Sequence, residues 1–402
     1  MFPVQTMRMS MRPIVGAPAW GADPSFYTPT VSSTPSPVGS AAVIDLDGHV
    51  WEPDACWEEF LDPQFLDRRP KIVEDERGTT RYLVEDRLMP AGTGRGAWAP
   101  EGFREASLHR DGGVDPVARL ADMDTEGIDR AVLYGTFAMG IWSITDLDLG
   151  IAVACAFNDW LASYCATDPS RLSPTCALPL RSVPDSVAEI ERTVAEHGVA
   201  TIPLPGSVLG RNLDDESLDP IFATAERLGV PIGVHAGGTG LAVDRFVDQY
   251  AMAHAAAFPM DIMLGLTAVL AGGVMERHPK LRVAFLEAGC GFVPSFLERL
   301  DEHYEKRPGE MAAIHRPPSE YAADGRVVVT CEPEEHGIAY AVERLGPHVV
   351  AYASDYPHWD AEFPGSVAHI SDRADLTDDA KRAILGANAA RLLGWDDAKG
   401  AG

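Results

Sequence analysis

Between residues 42 and 355 the chain alternates short, nearly wholly apolar runs with longer amphipathic stretches. The apolar runs at 42–47, 129–134, 172–180, 199–203, 231–235, 281–287, 327–330 and 349–355 predict eight strands. Such unbroken runs suit strands covered on both faces, whereas a half-exposed strand would alternate apolar and polar residues. Between them, residues 117–126, 147–167, 184–197, 218–228, 259–277 and 292–305 predict helices, and another helix precedes the last strand. Repeated strand–helix units imply a parallel sheet, and eight of them imply a closed (β/α)8 TIM barrel with its site at the strands' C-terminal ends. The rival, a doubly wound open sheet, would carry a glycine fingerprint after its first strand, and none is there.

Two stretches break the alternation. Residues 1–40, rich in Pro, Ser, Thr and Gly, predict a flexible N-terminal arm, leaving 41–397 as the barrel domain. Residues 51–113 form a long insertion after strand one, with a short helix expected near Trp57–Leu61, a strand at Arg81–Val84 and a mobile loop at Ala91–Gly96. A phosphate-binding reading of Gly92–Gly96 lacks a Walker lysine and a following helix. The insertion's Trp57, Phe60, Phe65, Trp98 and Phe103 exceed what one barrel needs, so a homodimer or larger homo-oligomer is expected.

Composition narrows the partners. A formal charge of −27 argues against nucleic acid and anionic membrane surfaces, and leaves small molecules as the expected partner. Six cysteines without a C-x-x-C pair suit a reduced, cytoplasmic protein. The longest apolar run, Ile262 to Met275, is 14 residues and short for a bilayer. Arg8 and Arg12 have no apolar core behind them, so no secretory signal is expected.

The chemistry starts in the first strand, Val43–Val50, where Asp45, Asp47 and His49 alternate with apolar residues and glycine. Strand periodicity puts all three on one face, and polar groups there are expensive to bury without a partner such as a divalent cation. His235 ends strand five, Glu287 strand six and Asp355 strand eight, so the barrel gathers His and carboxylate chemistry on one rim. Glu287 reads as an acid/base group beside a metal-bound water, as a further ligand, or as a structural ion paired with Arg282 or Arg299. His358, three residues past Asp355, reads as a substrate-carboxylate contact or a second proton carrier. After strand seven, Glu332 and Glu334 are pocket candidates, and Glu335 and His336 better ones for binding substrate. Arg299, His303 and Tyr304 read as a packing face, and a nucleophilic Cys290 as a minor reading.

These stretches resemble the amidohydrolase superfamily, within it the amidohydrolase-related branch that includes aminocarboxymuconate semialdehyde decarboxylase and γ-resorcylate decarboxylase. The resemblance spans about 43 to 395. It rests on Ile44-Asp45-Leu46-Asp47-Gly48-His49 with Pro53, Gly233-Val234-His235, Phe285-Leu286-Glu287-Ala288-Gly289, Ser354-Asp355-Tyr356-Pro357-His358 and Asn388-Ala389-Ala390-Arg391-Leu392. It implies one catalytic divalent metal, zinc or manganese, with Asp47, His49, His235 and Asp355 as ligands. Two departures stand out: Asp47 occupies the place of a His or Glu, and Glu287 that of the decarboxylases' His. The second tilts the expectation toward a hydrolase acting through a metal-activated water, with Glu287 or Asp355 moving the proton. A non-oxidative decarboxylase is the alternative, and a non-catalytic binding barrel the third.

Overall fold

Eight parallel strands stand where the apolar runs predict them: β1 Ile44–Val50, β2 Arg130–Gly135, β3 Leu172–Pro174, β4 Ile202–Leu204, β5 Ile232–His235, β6 Val283–Leu286, β7 Val327–Cys331 and β8 Val350–Tyr352. In this computed structural model the described residues are 42–74, 80–88, 110–236 and 250–395. The expected arm at 1–40, the Gly92–Gly96 loop, Trp98 and Phe103 lie outside them.

β1–β2–β3 and β4–β5–β6–β7–β8 are two hydrogen-bonded sets. A parallel bridge between Thr175 and Thr201 joins them on one side. On the other, Asp355 N donates to Asp47 O (2.9 Å) and His49 N to Tyr356 O (2.7 Å), which closes the barrel. Ile44, Leu46, Val132, Tyr134, Ala284, Leu286, Val328 and Ala351 share one buried cluster, the barrel's interior, with Ala389, Ala390, Leu392 and Leu393 of the final helix. A second cluster, including Val50, Leu133, Val234, Phe285 and Tyr352, lies between strands and surrounding helices. The two clusters follow from the strand period: alternate side chains serve alternate faces.

Helix ends follow their local signals. Asp115 accepts from Val117 N ahead of Pro116, and Gly127 ends that helix in the left-handed region (φ 84°). β3 is shorter than the apolar run to Leu180. Past it, Asn158 takes both backbone groups of Ala177 (2.8 and 3.0 Å), doing the work of a ladder with a side chain. The helix expected at 259–277 begins earlier, at Tyr250, and carries Pro259 inside it.

The 14-residue limit on apolar runs also changes. His254–Ala271 is helical, apolar (mean hydropathy 1.5) and long enough for a bilayer by length and composition. Asp261 interrupts the run in sequence, but it is buried and accepts from Gly206 N (3.2 Å), and half of the segment is packed within the barrel. It is a barrel helix. The insertion also serves its own barrel: Trp57 is buried, and Phe60 and Phe65 pack on the main core, so these three do not argue for a neighbouring subunit. Tyr82, on the antiparallel Lys71–Glu74 and Thr80–Val84 hairpin, packs on Phe137 (ring centroids 4.5 Å).

Candidate metal centre

β1 does not keep a strict two-residue period. Asp45 pairs with Ala131 and Gly48 with Leu133, so one extra residue on β1 makes a bulge between them. The bulge splits the three polar residues. Asp45 turns outward, where Oδ1 accepts from Ser354 N (2.9 Å) and Oδ2 from Ser354 Oγ (2.6 Å), tying β1 to the segment after β8. Asp47 and His49 turn toward the interior. The expected single face of three is therefore a face of two.

Gly48 occupies the outward position between them. A Cβ there would lie 2.9 Å from Asp45 Oδ2 and 3.0 Å from an Arg119 nitrogen, so glycine fits a close approach. Arg119, 2% exposed, donates to the carbonyls of His49 (2.9 Å) and Tyr356 (3.2 Å), bracing the seam of β1 and β8 from behind.

The four ligand candidates gather around His49, which shares one cluster with Asp47 and His235 and a second with Asp355, Glu287 and His358. His49 Nε2 lies 3.4 Å from Asp47 Oδ1, 3.4 Å from Asp355 Oδ1 and 3.3 Å from His235 Nε2. His235 Nε2 lies 3.3 Å from Asp47 Oδ1. His235 Nδ1 is 2.7 Å from the Ala236 carbonyl and donates to it, which leaves the Nε2 lone pair facing the cluster. Both oxygens of Asp47 are buried without a hydrogen-bond donor. An orphaned carboxylate between imidazole nitrogens is what a divalent cation would satisfy, so the donor set fits one metal ion.

Glu287 and Asp355 reach this centre through backbone that L-residues seldom adopt, with φ of 55° and 52° just past β6 and β8. Such conformations cost roughly 1–3 kcal/mol each and cluster where function holds them. Glu287 Oε2 is 3.2 Å from His235 Nδ1, and Oε1 is 3.8 Å from His358 Nδ1. No Lys or Arg among the described residues pairs with it: Arg282 donates instead to Gly229 O and to Arg391 O (3.2 Å). His358 Nδ1 is 2.8 Å from Asp355 Oδ1, and its ring lies 4.0 Å from that of His49.

Electrostatics match the crowding of carboxylates. Burial, then Asp355 and Asp47, pushes the Glu287 carboxyl well above its usual range. Burial, then Asp360 and Asp47, does the same to Asp355. Burial would also raise Asp47, but the adjoining His235 and His49 outweigh it and hold that carboxyl low. Burial pushes His49 down to about 3 and His358 down to about 4. A cation among these groups would counter the upward shift of a carboxyl such as Asp355 and hold Asp47 lower still.

Other sequence candidates do not join the centre. Glu335 is committed to the backbone N–H of Cys290 (2.9 Å) and Gly291 (2.6 Å), bracing the turn after β6. His336 is exposed and borders a surface groove with Tyr340 and Glu343. Glu332 is the acidic residue after β7 that feels the centre: burial and then Asp355 raise its carboxyl. Glu334 is exposed. Cys290 is buried, and burial raises its thiol well above the usual range, against a nucleophilic role. His303 contacts the Arg299 carbonyl on an exposed helix face.

Sequence reasoning passed over three supporting residues. Arg119 gave no signal, lying within an ordinary helical stretch. Glu52 is buried and accepts from Phe137 N (3.1 Å) and Ala138 N (2.9 Å), fixing the turn after β2; burial raises its carboxyl to about 7. Thr136, the first residue past β2, was accessible to the strand-end rule that found the others.

A family model described as amidohydrolase matches residues 44–395. The chain belongs to the amidohydrolase family. This amidohydrolase-family enzyme is 30% identical over 289 residues to the 2-amino-3-carboxymuconate-6-semialdehyde decarboxylase of Dictyostelium discoideum, across 71% of this chain and 78% of that protein. A crystal structure of an amidohydrolase from Mycobacterium avium subsp. paratuberculosis shares its fold at a TM-score of 0.74 and 23% identity, over 88% of this chain and 100% of the other. So does 5-carboxyvanillate decarboxylase from Novosphingobium aromaticivorans, complexed with manganese and 4-hydroxy-3-methoxy-5-nitrobenzoic acid, at a TM-score of 0.67 and 21% identity, over 88% and 96% of the two chains. Hydrolysis, the leading expectation from sequence, is corrected by these findings: a relative matched over 71% of the chain is a decarboxylase. The Glu at 287 was too slender a reason to leave that chemistry, since a buried carboxyl can also deliver a proton to carbon.

Proposed function

We propose that this protein is a metal-dependent, non-oxidative decarboxylase, a carboxy-lyase acting on a small aromatic or unsaturated acid. The observation that carries the reading is the placement of Glu287, a buried carboxyl without a Lys or Arg partner among the described residues, beside the orphaned Asp47 and the histidines. The decarboxylase relative supports the same chemistry.

Asp47, His49, His235 and Asp355 would hold the ion, manganese or zinc. Bound there, it supplies Lewis-acid attraction for a carboxylate and a neighbouring oxygen of the substrate. The protein's own work is to place and move a proton. The bond from carbon to the carboxylate breaks, carbon dioxide leaves, and the electron pair stays on the carbon. Glu287 gives its proton to that carbon and is reprotonated from solvent, so the cycle consumes one proton. His358 flanks this path and holds Asp355. The test is carbon dioxide release from a panel of hydroxy- and amino-substituted aromatic and unsaturated acids. Release is expected for at least one of them, abolished by chelation and restored by Mn²⁺ or Zn²⁺; release that survives full metal removal would overturn the reading.

The same reading includes a reducing, cytoplasmic setting, supported by six cysteines that are all unpaired. It also includes a homodimer. The support is the helix Tyr250–Leu266, whose exposed Met252, Met260 and Leu264 form an uncharged stripe on a chain of charge −27. Sedimentation at micromolar concentration should give a dimer or a larger closed assembly; a monomer would contradict this.

A further inference from the structure

Thr136 is joined to the candidate centre through His358. Its backbone N–H donates to Val50 O at 3.1 Å. Its hydroxyl oxygen lies 2.9 Å from the same carbonyl and 3.0 Å from His358 Nε2. The other ring nitrogen of His358, Nδ1, faces Asp355 Oδ1 at 2.8 Å. The imidazole is therefore held at both nitrogens and, through His49, on one face.

The Val50 carbonyl, with two lone pairs, accepts both the backbone N–H and the hydroxyl of Thr136, and the hydroxyl oxygen faces His358 Nε2. The ring is thus fixed between Thr136 on one side and Asp355 on the other. The turn that presents Thr136 is itself fixed. Glu52 takes the N–H groups of the next two residues, and a Cβ on the preceding Gly135 would lie 2.5 Å from Glu52 Oε1.

We propose that Thr136 is a positioning residue: its hydroxyl, anchored on the Val50 carbonyl, holds the His358 ring in the orientation that sets Nδ1 against Asp355, and so tunes the grip of the centre on its divalent ion. Carboxylates that ligate metals are themselves held by hydrogen bonds, and losing such a partner typically costs about 10–100-fold in metal affinity or activity. Valine keeps the shape of threonine but not its hydroxyl. In Thr136→Val the ring nitrogen Nε2 loses its hydrogen-bond partner, and nothing on that side fixes the ring against Asp355.

The inference rests on the metal-dependent reading, but its test does not need the reaction. Mn²⁺ affinity is measured on the full chain by competition with a chelating indicator, with melting temperature of the metal-free protein alongside. Thr136→Val is expected to bind Mn²⁺ about 10–100-fold more weakly at an unchanged melting temperature. Thr136→Ser, which restores the hydroxyl, should return to within about threefold of wild type. Overturning results are a valine variant with wild-type affinity, or a serine variant as weak as the valine one, which would make the contact one of packing. If the wild type binds Mn²⁺ tightly yet releases no carbon dioxide from any acid, the decarboxylase reading fails while the role of Thr136 is still decided.

Discussion

Glu287→Gln is expected to lower turnover by about 10²–10⁴-fold, the usual worth of general acid–base catalysis, with metal content and melting temperature unchanged. The substitution keeps size and shape and removes only the exchangeable carboxyl proton. That proton is the one the carbon receives when carbon dioxide leaves, and no described Lys or Arg competes for the carboxylate. Two other roles for Glu287 would look different. As a metal ligand it would give a variant that binds metal poorly and is partly rescued by excess ion. As a structural ion it would cost melting temperature and spare the rate. Turnover, metal content and melting temperature on this one variant separate all three, and near-wild-type turnover would remove Glu287 from the mechanism.

The second large effect is on metal itself. His235→Ala is expected to lose bound metal and activity together while the barrel still folds. His235 Nε2 points at Asp47 and His49, and its Nδ1 is already committed to the Ala236 carbonyl, so no neighbouring group can replace the lost nitrogen without moving. Ligand binding raises stability by RT ln(1 + [L]/Kd), about 2.7 kcal/mol at a hundredfold excess over Kd. Mn²⁺ should therefore raise the melting temperature of the wild type and leave that of His235→Ala unchanged. A variant that keeps full metal occupancy would show that the ligand set is wrong.

The barrel was legible because its strands are buried on both faces and so appear as unbroken apolar runs. Asp47, His49, His235, Glu287 and Asp355 were legible for a related reason: a barrel gathers its polar strand ends on one rim. Asp45 was misread because a single inserted residue in β1 reverses which side chains point inward, and nothing in Ile44-Asp45-Leu46-Asp47 announces a bulge. Glu335 and His336 lie apart from the cluster because distance past a strand says nothing of which way a turn faces; Glu335 folds back on the N–H groups after β6. Arg119 was invisible, since its role depends on two carbonyls, one 70 and the other 237 residues away. Hydrolysis was favoured on the identity of one side chain, although both candidate reactions need a proton donor at that place.

The most direct test of the central claim is the metal-loaded enzyme turning over an accepted acid in D₂O. The account predicts one carbon dioxide released per product molecule, with one deuteron on the carbon that carried the carboxylate, and neither in the chelated enzyme. Cleavage of an amide or ester with solvent oxygen in the product and no carbon dioxide would contradict it.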